Sequence, residues 1–88
     1  MGNIHTIQGE LTIYTATAQL EECFSALTNG INILDFSGVH DLDSAALALI
    51  LVCRREAERL QKPLQCINLP ENLKNLAQLY GVENYIPT

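Results

Sequence analysis

The stretch from Asp35 to Cys53, with the strand that leads into it, constrains this chain more than any other. Ile31 to Phe36 is a nearly continuous apolar run, of the length and kind found in a strand at a sheet centre. An acidic segment follows, Ser37-Gly38-Val39-His40-Asp41-Leu42-Asp43, and a helix opens at Ser44. From Ala45 to Cys53 that helix is apolar on all sides. A strand, an acidic turn and an all-round apolar helix in succession predict an α/β layer packing.

The flanking sequence extends the pattern. Ile4 to Ile7 and Leu11 to Thr15 are β-prone runs joined by Gln8-Gly9-Glu10, which predicts an N-terminal hairpin. A helix is expected from about Thr17, with Thr17 as its N-cap and Glu21 and Glu22 toward the positive end of its dipole. Leu20, Cys23, Phe24 and Leu27 recur at helical spacing and give it one buried stripe, and Thr28-Asn29-Gly30 closes it. The helix from Ser44 runs to about Gln61, where Lys62-Pro63 stops it. Leu64 to Leu69 reads as a further strand. Pro70 suits the first position of a third helix with Leu73, Leu76, Ala77 and Tyr80 as its core stripe, ended by Gly81. The order of hairpin, helix, strand, helix, strand, helix predicts a small mixed sheet with parallel crossovers, packed with three to four helices.

At 88 residues the chain makes one domain, residues 1–88, with no room for a second lobe around a substrate cleft. No signal peptide is expected, because Met1-Gly2-Asn3-Ile4-His5 lacks a basic segment followed by an apolar one, and Met1-Gly2 with Thr6 carries little weight as a myristoylation pattern. The longest apolar run, Ala45 to Cys53, is too short to cross a bilayer. A cytoplasmic protein is expected. Residues 1–53 hold Glu10, Glu21, Glu22, Asp35, Asp41 and Asp43 and no Lys or Arg, whereas Arg54, Arg55, Arg59, Lys62 and Lys74 all come later. Such a distribution argues against nucleic acid and anionic membranes as partners, since phosphate contacts need a basic surface. A partner with a basic or apolar docking face is expected instead.

Chemistry is sparse. Cys23, Cys53 and Cys66 are widely spaced, form no CxxC pair and read as buried thiols. Asp35, His40, Asp41 and Asp43 match no calcium loop, so no metal site is expected. Gly38 stands alone without a phosphate-binding loop, and no nucleophile elbow surrounds Ser44. The expectation is a protein without enzymatic activity or cofactor. The helix after Ser44 is more informative. Ala46, Ile50, Cys53, Ala57 and Leu60 form a stripe that can face a sheet, while Leu47, Ala48, Leu51 and Val52 lie off it. An apolar patch beside Ser44 is therefore expected at the surface, the mark of a protein interface.

Ile33-Leu34-Asp35-Phe36-Ser37-Gly38-Val39, then Leu42-Asp43-Ser44, then Leu47-Ala48-Leu49-Ile50 resemble the STAS domain, and the order of elements agrees with that fold over nearly the whole chain. The compact size and the ending Leu73-Lys74-Asn75-Leu76-Ala77-Gln78-Leu79-Tyr80-Gly81-Val82 are similar to the MlaB-like branch, the cytoplasmic subunit of a phospholipid-transport ABC complex. That resemblance implies docking on the transporter's ATPase, peripheral to the inner membrane, through Asp41, Leu42, Asp43, Ser44, Ala45, Leu47, Ala48 and Leu51. Ser44 would be polar anchor and N-cap, Asp41 and Asp43 would meet basic groups, and Leu47, Ala48 and Leu51 would give apolar contact. The other branch implied is the anti-sigma factor antagonist, in which Ser44 matches the serine phosphorylated by an anti-sigma factor kinase. Ala45-Ala46 stands where both branches place other residues: Ser/Thr-Gly in the antagonists, and glycines after the usual Thr in the MlaB-like proteins.

Overall fold

The computed structural model describes residues 3–88. Met1 and Gly2, on which the leader and myristoylation readings rest, lie outside the described residues. Strand β1 (Ile4–Leu11) leads through a tight turn into helix α1 (Ala16–Thr28), followed by β2 (Ile33–Leu42) and α2 (Ala45–Arg59). Strand β3 (Gln65–Ile67), α3 (Glu71–Leu79) and a 3₁₀ turn at Glu83–Tyr85 complete the chain. The α/β architecture expected from the sequence is present. The strands form one sheet in the order β1-β2-β3, and both pairings are parallel.

The expected hairpin and mixed sheet are not formed. Gln8-Gly9-Glu10 stays inside β1 because Gly9, at φ 80°, takes up a register shift against β2 instead of reversing the chain. Pairing continues to Leu11 opposite Leu42, and the reversal comes later, where Thr15 N–H donates to the Thr12 carbonyl at 3.0 Å. Thr12 N–H in turn donates to Thr15 Oγ1 at 3.0 Å. Helix α1 therefore begins at Ala16, after Thr15 and not Thr17. The acidic segment is likewise strand, not turn: β2 runs on to Leu42. Gly38 permits this close pairing, since a Cβ there would stand 2.7 Å from the Ile7 carbonyl oxygen.

Ile7, Leu11, Leu34, Phe36 and Cys66 from the strands meet Cys23 and Leu27 of α1 and Ala46, Leu49, Ile50 and Cys53 of α2 in one core. Leu73 and Ala77 of α3 extend it. Tyr80, expected in the α3 stripe, is 57% exposed, because the helix ends at Leu79 and Tyr80 lies beyond its last turn. The three cysteines are buried and free. The Cys53 thiol is pushed up by its hydrogen bond with Cys23 and by burial, and burial pushes Cys66 up to about 12. Both stay protonated and act as small apolar groups.

Candidate docking surface at the start of α2

Three segments meet where β1 and β2 end: the turn Thr12–Thr15, the end of β2 and the first turn of α2. Asp43 ties them together. Its Oδ1 accepts from Ala45 N–H at 2.8 Å, its Oδ2 accepts from Ile13 N–H at 3.2 Å, and its own N–H donates to the Leu11 carbonyl at 3.3 Å. Asp43 thus supplies the capping bond of α2, a role that suits a carboxylate at the positive end of a helix. Ser44 does not cap. It precedes the helix with φ −63° and ψ −15°, its hydroxyl makes no capping bond, and the residue is exposed. Asp43 is half-buried and accepts one bond within the chain on each carboxylate oxygen; Asp41 is exposed and pairs with Glu10 on the neighbouring strand.

The residues expected to form the surface separate into two groups. Asp41, Ser44 and Ala48 are exposed, and Leu42, Ala45 and Leu51 are half-buried. Leu47 is 4% exposed and belongs to the core, so it cannot be an outward contact. A helix lying on a sheet beside two neighbouring helices buries more than one stripe, and Leu47 falls within that wider face. Residues not expected from sequence complete the surface. Ile13 is 65% and Tyr14 87% exposed on the turn that Asp43 holds. Ala16, Thr17 and Leu20 of α1 line an apolar groove with Ala45, Ala48 and Val52 of α2, floored by Leu49. The signal for Ile13 and Tyr14 was an apolar pair between two threonines, which the hairpin reading assigned to a strand.

Among the described residues no group of His, Cys, Asp or Glu is arranged to hold a metal ion. Among these described residues, too, no helix is long and apolar enough to cross a membrane. Three basic side chains lie in the later turns of α2: Arg54 pairs with Glu58 at 3.3 Å and stacks over Tyr85, Arg59 pairs with Glu56 at 2.6 Å, and Arg55 is exposed.

A family model described as "Mlab, STAS domain" matches residues 6–88. The chain belongs to the MlaB-type STAS domain family. No curated protein matches it. Among solved structures, the anti-sigma factor antagonist SpoIIAA in its unphosphorylated form is similar at 20% identity and a TM-score of 0.71, over 93% of this chain and 74% of that one. The Bacillus cell fate determinant SpoIIAA in its phosphorylated form is similar at 20% identity and 0.67, over 93% of this chain and 77% of that one. The STAS fold is thereby common to this chain and SpoIIAA.

Proposed function

We propose that this STAS domain is a non-enzymatic cytoplasmic subunit that docks on the ATPase of a phospholipid-transport ABC complex at the inner membrane. The observation that supports this choice of partner is the family match to the MlaB type over residues 6–88. The docking pole is the region around Ser44. Its unbonded hydroxyl, the neighbouring Asp41 carboxylate and the exposed Ile13, Tyr14 and Ala48 combine a polar anchor with apolar contact area, the composition of a protein interface. Binding there supports assembly or activity of the ATPase.

A second reading has its own observation. The fold is shared with SpoIIAA in both phosphorylated and unphosphorylated forms, and Ser44 is exposed at a helix N-terminus. In that reading Ser44 accepts a phosphate from an anti-sigma factor kinase and the protein antagonises that factor. The helix amides favour the added charge, while Asp41 and Asp43 oppose it. Co-expression with the transporter ATPase and permease of the same genome separates the two. A complex that survives purification and is lost with Ser44→Arg supports ATPase docking. No complex, together with a single phosphate at Ser44 after incubation with a cognate serine kinase, reverses the assignment.

A further inference from the structure

The groove between α1 and α2 specifies what kind of element docks, an inference that rests on the docking reading above. Its volume is about 140 Å³, several times the ~30 Å³ share of one water molecule. Small side chains make it: Ala16 and Thr17 on one wall, Ala45 and Ala48 on the other, with Leu20 and Val52 further along. α1 and α2 pack directly on each other, and Ala45 and Ala48 present only methyl groups above that contact, so a groove is left along the outer side of the pair where larger residues would fill it. The result is an apolar trough open to solvent along the first turns of both helices.

Charge along the trough is polarised. Asp41 is exposed three residues before Ser44, and Glu21 is exposed on α1, where helical spacing sets it one turn beyond the lining residue Thr17. Arg55 lies at the other end, one turn beyond Val52 on α2; it is exposed and takes part in neither ion pair of the described residues. Both helices present their positive N-terminal ends at the acidic pole. An amphipathic helix laid antiparallel to α1 and α2 answers all of these features. Its negative C-terminal end faces the two N-termini, Lys or Arg in its last turn meets Asp41 and Glu21, and Glu or Asp in its first turn meets Arg55. Aliphatic side chains at i, i+3 or i+4 and i+7 enter the trough.

We propose that the α1–α2 trough is a helix-in-groove site for an amphipathic helix of the partner protein, oriented with basic residues at the Ser44 end and acidic residues at the Arg55 end. Two synthetic helices test it, each about 15 residues long with leucines at three- to four-residue spacing. One carries two glutamates in its first turn and two arginines in its last, and the other has these charges exchanged. Titration of isotope-labelled protein by NMR is expected to shift the amides of Thr17, Leu20, Ala45, Ala48 and Val52. The first peptide should bind roughly fivefold more tightly than the second, the scale of two or three exposed ion pairs. Arg55→Glu should reduce that preference, and Ala48→Glu should abolish binding of both. Equal affinity for the two peptides, or shifts confined to other surfaces, overturns the proposal. Shifts of the same amides on raising protein concentration alone overturn it as well, since the occupant is then a second copy. Loss of the peptide preference with an intact ATPase complex rejects the helix but leaves the Ser44 pole as the docking site. An intact preference without an ATPase complex does the reverse.

Discussion

Asp43 and Ser44 are neighbours with opposite duties. Asp43 holds the α2 terminus and the Ile13 turn through two carboxylate bonds, whereas the Ser44 hydroxyl holds nothing within the chain. Asp43→Ala should therefore lower unfolding stability by about 1–2 kcal/mol, the range for losing a helix cap, while Ser44→Ala should change it by less than about 0.5 kcal/mol. Urea titration of both variants measures the difference. From sequence the cap and the exposed hydroxyl could not be told apart, because Asp and Ser are both preferred caps and only the backbone angles decide which of them precedes the first turn. Asp35 carries a pH signature. Hydrogen bonds from the Asn68 side chain and the Ser37 N–H hold its carboxyl below the usual aspartate range. A depressed carboxylate stabilises the fold above its unfolded pKa, and that contribution is lost as pH falls through its folded value. Acid unfolding curves of Asp35→Asn should show a smaller stability loss than wild type from about pH 4 downward.

At the scale of elements, the helices and the last two strands were legible and the first strand was not. Leu20, Cys23 and Leu27, and Ala46, Ile50, Cys53 and Ala57, repeat at helical spacing, and the structure buries those positions in the core or half-buries them, as it does Leu20. Gly9 carries the same sequence signal in a turn and in a bulge, since both use its positive φ. What selects the bulge is pairing with β2, a contact remote in sequence that periodicity does not report. The same remoteness hid the continuation of β2 through the acidic segment, where Gly38 fits against the Ile7 carbonyl. Gly38→Ala should cost about 1–3 kcal/mol, because the Gln8 side chain can move aside but the backbone carbonyl cannot. Thermal unfolding of this variant checks the close approach, and an unchanged midpoint would mean that the strands part there at little cost.

Across the whole molecule, charge and apolar exposure divide along the same axis. The end of the sheet where Asp41 and Glu10 stand opposite each other also presents Ile13, Tyr14 and the trough, and Arg54, Arg55 and Arg59 come in the later turns of α2. The absence of Lys and Arg from residues 1–53 makes that polarity legible in the sequence alone. The contribution of α1 and the Thr12–Thr15 turn is not legible there, because it arises only when parallel pairing brings the ends of β1 and β2 together. A separate exposed apolar group, Leu79 and Tyr80 at the end of α3, provides an internal control on the same molecule. The most direct measurement is the affinity of the purified protein for the transporter ATPase, compared between Ser44→Arg and Leu79→Arg by biolayer interferometry. Docking through the Ser44 pole predicts that Ser44→Arg weakens binding by at least tenfold, about 1.4 kcal/mol, while Leu79→Arg binds as wild type does. Unchanged binding of Ser44→Arg, or loss confined to Leu79→Arg, would contradict it.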